Sequence, residues 1–167
     1  MACRSHVGLS ESCEEQFLPK EALGRFTVKR MGVVCKGGIH LASAYLHVSI
    51  GVKHTKSLDL LQAMAAVLKT YEGPWILDFD SNCTPEELRA TGWLKLVGGV
   101  VVAPQLPTCN NRTIDFFVVS EGLAASVAGV AVVADATFNP HHPDRLYLRA
   151  RPRAVMIRCL KAIKLTH

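Results

Sequence analysis

Three groups of polar residues each stand at the end of a strand-like run, and their types are those that carry proton transfer and metal binding. The first group is Asp78, Asp80 and Asn82, in WILDFDSN. The second is Asp115, in TIDFFVVS, and the third is His141, in NPHHPDRLYL. A carboxylate within an apolar run is costly to bury without a partner, and a histidine is a natural partner. An aspartate that accepts from one imidazole nitrogen leaves the other nitrogen for proton transfer.

Each group also has an explanation that involves no chemistry. Asp80 and Asn82 are residue types that form turns before a helix. Asp115 could point to solvent from an edge strand, and a histidine in a proline-rich loop is often only a loop residue. The residues alone leave these alternatives open.

The first half of the chain predicts a hairpin followed by a helix. Strand patterns begin near Arg25, in RFTVKRMGVVC, and the pair Gly37–Gly38 predicts a turn into IHLASAYLHVSI. Both faces of this second run are fairly apolar, which suits a strand covered on both sides. Ser57 is the predicted N-cap of the following helix, with Asp59 in its first turn. Apolar residues recur at helical spacing until Gly73–Pro74, which stops the helix.

The stretch TPEE carries three helix-start signals together. Thr84 is the predicted N-cap, Pro85 takes the first helical position, and Glu87 completes a capping box. Gly92 is predicted to end this short helix. Four β-rich runs follow: LVGGVVVA, TIDFFVVS, VAGVAVVA and RLYLRA. Because strands outnumber helices, the predicted class is α+β, with helices packed against a mixed β-sheet.

Composition is that of a globular domain, with 167 residues, of which 49% are hydrophobic and 20% charged. No apolar run reaches the roughly 18 residues that a membrane span needs, and the N-terminus lacks the apolar core of a secretory signal. We therefore expect an intracellular protein without a membrane contact. The six cysteines stand at long, irregular intervals, which predicts free thiols. The net charge of +5 mildly favours a polyanionic partner.

We predict three parts along the chain. Residues 1–30 are polar and charge-mixed, which indicates a poorly ordered leader. Residues 31–153 hold the strand and helix patterns of the domain. Residues 154–167 form a basic, amphipathic tail, which we expect to be a helix on the surface of the sheet or on an anionic partner.

The order of the motifs resembles the C-terminal part of the endonuclease/exonuclease/phosphatase superfamily, which includes deoxyribonuclease-like and apurinic endonuclease-like proteins. The resemblance rests on W-I-L-x-x-D-x-N-x-x-P-x-E-L, P-T-C-x-x-x-x-I-D-F-F-V-V-S and P-H-x-P-x-R-L-x-L, in this order, over about residues 39–150. It is nearest to versions of the domain that are associated with retroelements. It implies part of a four-layer α/β/β/α sandwich, with a mixed β-sheet and helices on one face.

The resemblance assigns roles to five residues. It implies that Asp80 handles the nucleophilic water or the leaving group and that Asn82 orients it. Asp115 matches the aspartate that pairs with the catalytic histidine, which matches His141. Tyr45, at the end of its strand, matches a tyrosine that contacts the scissile phosphate. The implied reaction is metal-dependent hydrolysis of a phosphodiester bond in nucleic acid, with Mg²⁺ or Mn²⁺ held by Asp80 and Asn82.

The chain also departs from the family pattern. Where W-I-L-G-G-D-F-N is expected, Asp78 and Phe79 replace two glycines, so we expect a different turn there. Pro140 stands where the family has a metal-contacting aspartate, and Asp144 stands where a β-branched apolar residue is usual. The domain is truncated at its N-terminal half relative to the family, and no glutamate matches the family's main metal ligand.

This truncation has two expected consequences. Metal affinity should fall, and the sheet should expose an apolar face that self-association or a partner chain would cover. Whether the chain is an active enzyme therefore stays open at this point. The alternative to a nuclease is an impaired or inactive fragment of the fold that retains only nucleic-acid or protein binding. A phosphatase for a small molecule or a lipid headgroup would use the same site chemistry.

Overall fold

The protein is described by a computed structural model that covers residues 9–11, 22–32, 37–133, 135–136 and 139–149. These residues form eight strands and four helices. In chain order they are β1 Ser10–Glu11, β2 Phe26–Met31, β3 Ile39–Tyr45, α1 Thr55–Leu68, β4 Trp75–Asp80, α2 Pro85–Arg89, α3 Trp93–Val97, β5 Gly99–Val102, β6 Asp115–Ser120, α4 Glu121–Ala124, β7 Val127–Val132 and β8 Asp144–Leu148.

Six of the strands form one mixed sheet, in the order β1-β2-β3-β4-β6-β5. The β3–β4 pair is parallel, and all other neighbouring strands of this sheet are antiparallel. A parallel pair needs a crossover connection, which α1 provides. Strands β7 and β8 form a separate antiparallel hairpin. The α+β class and the mixed sheet with packed helices predicted from the sequence are therefore confirmed.

One face of the sheet packs against the helices. Alternation along β4 sends Leu77 and Phe79 to this face, where both side chains are fully buried. The Phe79 ring lies 6.1 Å from the rings of Trp93 and Phe116, measured between ring centroids. The Trp93 indole N–H donates to the backbone oxygen of Leu61 at 2.6 Å, which fixes α3 against α1. This core makes β4 a rigid central strand.

The opposite face is partly covered by the β7–β8 hairpin. A second apolar cluster forms there around Ile76 and Val119, against which Leu146 and Leu148 of β8 pack. Closer to the end of β4, the same face carries the polar residues Asp78 and Asp80, together with polar residues of the neighbouring strands. The exposed apolar face expected from the sequence is therefore reduced, because the hairpin covers the apolar end and the open end is polar.

The start of α1 differs from the prediction. The N-cap is His54, whose Nδ1 accepts from the backbone N–H of Lys56 at 3.2 Å. Ser57, the predicted cap, lies inside the helix and is fully buried, with no hydrogen-bond partner for its Oγ among the described residues. Asp59 consequently lies beyond the first turn. The imidazole nitrogen does here what a hydroxyl oxygen commonly does at this position.

The start of α2 agrees with the prediction. Thr84 and Glu87 form the reciprocal capping box, with Pro85 in the first turn. The pattern had placed a β-run from Leu96, but Leu96 and its neighbours form α3 before β5 begins. The four β-rich runs correspond to β5, β6, β7 and β8.

Several other expectations meet the described residues only in part. Strands β1 and β2 lie wholly or mostly within the predicted leader, while the tail 154–167 lies outside the described residues. The division into three parts stays a prediction. Cys83 and Cys109 are free thiols. No helix among the described residues is long and apolar enough to cross a membrane.

The position of Phe79 yields a test of this packing. Phe79→Ala should lower the free energy of unfolding by about 3–5 kcal/mol, because it opens a cavity between α3 and the sheet. Phe79→Leu retains more of the volume and should cost clearly less. Urea denaturation monitored by circular dichroism measures both. A cost below about 1 kcal/mol for the alanine variant would contradict a core role for this side chain.

Candidate active site

Strand register brings three of the predicted site residues into one row. Tyr45 of β3 is the register partner of Asp80 of β4, and Asp80 is in turn the partner of Asp115 of β6. Neighbouring strands lie about 4.8 Å apart, so the three side chains are lateral neighbours at one end of the sheet. The sequence separates the first and last of them widely, and the sheet alone brings them together.

His141 joins this row through a direct contact with Asp115. Its Nδ1 lies 3.1 Å from Oδ1 and 3.0 Å from Oδ2 of that carboxylate. An ionised carboxylate can only accept, so Nδ1 carries the proton, and in the neutral ring Nε2 holds the free lone pair. The imidazole side chain is 40% exposed and the Asp115 side chain 17% exposed. The pair is thus an anchored carboxylate with an accessible imidazole.

Thr108, to which the sequence analysis gave no role, positions both members of the pair. Its Oγ1 accepts from the backbone N–H of Asp115 at 2.9 Å and from that of Ile114 at 3.1 Å. Its carbonyl oxygen accepts from the backbone N–H of His142 at 2.6 Å. The next residue, Cys109, pairs with His141 in an isolated antiparallel β-bridge of the backbone. Thr108 is fully buried. The only sequence signal was its place in the P-T-C element upstream of Asp115.

Asp80 is held in an environment that disfavours its charge. Burial, followed by the negative charge of Asp115, raises the pKa of Asp80 to about 6, with Asp78 adding to the effect. The charge of His141 and a hydrogen bond from the backbone N–H of Asn82 act in the opposite direction. Oδ1 of Asp80 is buried and has no hydrogen-bond partner among the described residues. This oxygen of Asp80 could therefore accept a proton or bind a cation.

Asn82 connects the ends of two strands, and its predicted role in the chemistry stays a prediction. Its side-chain amide donates to the backbone oxygen of Leu46 at 3.0 Å, which ties the ends of β3 and β4 together. Its backbone φ of 48° lies in the left-handed region, where asparagine is among the better tolerated residues. Among the described residues, Asn82 does not line the cleft beside Asp80. Its contact with Asp80 is through the backbone.

The row opens into a cleft of about 840 Å³, which is much larger than one phosphate group. Tyr45 lines this cleft and is 39% exposed. The Arg25 guanidinium stacks over the Tyr45 ring, 5.3 Å from its centroid. Tyr45 is therefore accessible from the cleft, where a bound group could contact it.

Two further carboxylates, Asp78 and Asp144, also line the cleft. Burial raises the pKa of Asp144 to about 7, and the charges of Asp78 and Asp115 contribute to the increase. The pKa of Asp78 is also raised, first by desolvation from the cleft walls and then by Asp115. The sequence offered one signal for Asp144, an acidic residue that opens an otherwise β-like run.

The acidic residues of the cleft, together with His141, fit a small divalent cation. Asp80, Asp115 and His141 each offer a ligand atom within 4.8 Å of the others. Oδ2 of Asp144, like Oδ1 of Asp80, is buried without a hydrogen-bond partner among the described residues. Buried carboxylate oxygens in this state are unfavourable unless a proton or a cation compensates them. Hard oxygen donors of this kind suit magnesium or manganese.

Comparison with known proteins links this geometry to a fold. No family model matches the sequence, and no curated protein matches it. Among solved structures, the endonuclease domain of TRAS1, a telomere-specific non-LTR retrotransposon, superimposes with a TM-score of 0.68 at 14% identity, over 87% of this chain and 70% of that one. An AP endonuclease from Archaeoglobus fulgidus gives a TM-score of 0.59 at 14% identity, over 84% and 70%. The chain has the endonuclease/exonuclease/phosphatase fold.

The chain spans only part of the length of the solved structures that it matches. It spans 70% of the TRAS1 domain but 53% of a cytolethal distending toxin from Actinobacillus actinomycetemcomitans, which it matches at 13% identity with a TM-score of 0.54 over 74% of this chain. A 3′ phosphatase, NExo from Neisseria bound to product DNA hairpin, matches with a TM-score of 0.57 at 16% identity, over 78% of this chain and 68% of that one.

Within this fold, the departure at Asp78 and Phe79 is accommodated in a regular strand. We expected the two residues to alter a turn, but β4 continues to Asp80, paired on both sides. Phe79 points into the helix-side core and Asp78 into the cleft. The replacement therefore extends the core on one face and adds a carboxylate on the other.

Thr108 provides a test of how the site is positioned. Thr108→Val should lower the free energy of unfolding by about 2–4 kcal/mol in total, because the backbone N–H groups of Ile114 and Asp115 lose their acceptor. Thr108→Ser retains the hydroxyl and serves as the matched control. Urea denaturation of the three proteins gives the difference. Equal stability of the valine and serine variants would show that the hydroxyl does not anchor β6.

The raised pKa of Asp144 predicts a pH-dependent stability. The unfolded chain loses this proton near pH 4 and the folded protein near pH 7, so the folded state binds more protons between these values. The contribution of Asp144 to stability therefore falls as pH rises through this window. Asp144→Asn should stabilise the protein at pH 8 by on the order of 1 kcal/mol, a discounted value because the side chain is partly solvated.

Urea denaturation in EDTA, at pH 8 and near pH 4.5, measures this effect without divalent cations. The gain from Asp144→Asn should shrink strongly at the lower pH. Asp59→Asn, at an exposed position of α1 outside the cleft, is the control. A gain of the same size at both pH values would rule out the charge of Asp144 as its source.

Proposed function

We propose that the protein is a metal-dependent phosphodiester hydrolase of the endonuclease type, acting on nucleic acid. The observation that carries this proposal is the row of Tyr45, Asp80 and Asp115 at one end of the sheet, completed by the contact between Asp115 and His141. The row faces an open cleft on a fold shared with nucleases and phosphatases. Such an arrangement offers a base, a carboxylate and a phosphate contact in one place.

His141 is the group that we assign to proton transfer. Its Nδ1–H donates to Asp115, which orients the ring and stabilises its protonated form. Nε2 can then take a proton from an attacking water or return one to a leaving oxygen. Asp115 keeps the tautomer fixed, and Thr108 keeps Asp115 in place.

Asp80 would hold a divalent cation. Asp78 and Asp144 line the same cleft, and their negative charges would also attract the cation. When bound, such a cation would polarise the phosphodiester and neutralise charge that develops on its oxygens. Asp80 also lines the cleft, so we assign it to orienting the attacking water. Tyr45 would contact the phosphate at the cleft rim. Asn82 positions Asp80 through its backbone N–H, and its role as a second metal ligand stays a proposal.

Nucleic acid is the substrate class that the observations favour. The chain has a net charge of +5 although its cleft is acidic, so positive charge must lie outside the cleft. The solved structures that share the fold include a retrotransposon endonuclease domain, an AP endonuclease and a phosphatase bound to a DNA hairpin. A retroelement origin is consistent with the first of these. The alternative is a catalytically impaired or inactive protein of this fold that retains only nucleic-acid or protein binding.

Cleavage assays test this function. Wild-type protein should cleave supercoiled plasmid DNA, or nick abasic-site DNA, in the presence of Mg²⁺. His141→Ala should lower the rate by about 10²–10⁴-fold, because it removes the proton-transfer group. Asp80→Asn should have an effect of similar size, because it removes the only row carboxylate with a buried, unpaired oxygen. Gel electrophoresis of the products measures both.

His142→Ala is the matched control, because the adjacent histidine is fixed through its backbone N–H and its side chain is exposed. It should retain activity within about threefold of the wild type. If wild type and His141→Ala are both indistinguishable from a protein-free sample, the chain is not a hydrolase of these substrates. Equal losses in the His141 and His142 variants would overturn the assignment of His141.

A further inference from the structure

A group of cationic side chains lies next to the cleft but takes no part in the chemistry above. It consists of Arg25, before β2, and of His47, Lys53, His54 and Lys56, which lie between β3 and the first turn of α1. We call these five residues the basic rim. Lys53, His54 and Lys56 are exposed, and Arg25 and His47 are partly exposed.

The charges of the basic rim act on one another. Desolvation lowers the pKa of His47, and the positive charges of Arg25, Lys56 and His54 lower it further. No carboxylate among the described residues contributes to this shift. Arg25, Lys56 and His54 are therefore near enough to His47 to act on it, and an anion is the kind of ligand that such a group of basic side chains would bind.

The start of α1 adds hydrogen-bond donors to the rim. Because Nδ1 of His54 accepts from the Lys56 N–H, a neutral His54 ring carries its proton on Nε2 and can donate from there. The first turn of this 14-residue helix contains no acidic residue. Its partial positive charge therefore adds to the charges of Lys53 and Lys56.

The rim is continuous with the cleft through Arg25. This residue lines the cleft and stacks on Tyr45, and its charge also acts on His47. A ligand that contacts both the cleft and the rim must therefore carry more than one anionic group along its length. The same loop exposes the apolar side chains of Val48 (52% exposed) and Ile50 (38% exposed). A surface that carries both basic and exposed apolar groups suits a chain with phosphates and bases.

We propose that the basic rim binds the phosphate backbone of a nucleic-acid strand whose adjacent phosphodiester lies in the cleft. The proposal rests on the proposed function and names the surface that holds the polymer. The rim neutralises the flanking phosphates, while Val48 and Ile50 contact sugar or base. The acidic residues of the cleft repel a polyanion that carries no cation. A separate basic surface must therefore supply the affinity of the protein for the nucleic acid.

Binding in the absence of hydrolysis tests this surface. The probe is a fluorescein-labelled single-stranded 20-mer DNA, titrated with His141→Ala protein in EDTA and followed by fluorescence anisotropy over a series of salt concentrations. Adding Lys53→Ala and Lys56→Ala should make the slope of log affinity against log salt shallower by about 0.7 per lysine. Affinity at 0.05 M salt should fall at least about tenfold.

The matched control is Lys69→Ala with Lys95→Ala, which removes the same charge from exposed positions at the end of α1 and on α3. This control should leave affinity and slope unchanged. Thermal unfolding of each variant verifies that it is folded. Val48→Ser with Ile50→Ser should weaken binding without changing the slope, because it removes apolar contacts and no charge.

Three results would overturn the proposal. The first is equal binding by the rim variant and the wild type, and the second is an equal loss in the control variant. The third is competition by polyaspartate as effective as that by unlabelled DNA, which would indicate a surface for anions in general. Failure of the proposed function is distinct from all three. It would appear as absent cleavage by a protein whose rim-dependent DNA binding is intact.

Discussion

The pairing of β3, β4 and β6 places two carboxylates side by side, and the rest of the site is organised around their repulsion. Asp80 and Asp115 are register partners, so neither can leave the other without breaking the sheet. Asp115 is stabilised by His141 and by its anchored backbone. Asp80 has fewer stabilising contacts, and its negative charge is unfavourable, which is why its pKa is raised. A protein usually tolerates such a group where a cation or a proton is to be bound.

Strand alternation separates stability from chemistry along the same few residues. Phe79 and Phe116 point to the helix side and are fully buried, while their neighbours Asp78, Asp80 and Asp115 point to the cleft. A shift of one residue in register would exchange the two sets. The apolar core thus determines where the carboxylates stand. The strand can be rigid and well packed while its other face carries unfavourable charge.

Charge is distributed unevenly around the cleft. The floor is acidic, and the basic rim lies beyond Tyr45, outside the acidic row. For a polyanionic substrate this is a workable arrangement, because the two surfaces attract different partners. In the proposed function, the rim would attract phosphates and the acidic residues of the cleft would attract a cation, which in turn would permit a phosphate to approach. A smaller, singly charged substrate would have little use for the rim.

The sequence by itself determined the class of fold and the α2 capping box, because these depend on local patterns and short motifs. The roles of the five candidate residues stay predictions. The sequence misplaced the start of α1, since the burial of Ser57 depends on packing that no local signal reports. It also did not indicate that the Asn82 side-chain amide donates to the Leu46 carbonyl. Only the tertiary structure decided that Tyr45, Asp80 and Asp115 form a row, that Thr108 anchors it, and that Asp144 joins the cleft. The physical reason is that register and side-chain burial arise from contacts between segments far apart in the chain, which a linear pattern does not contain.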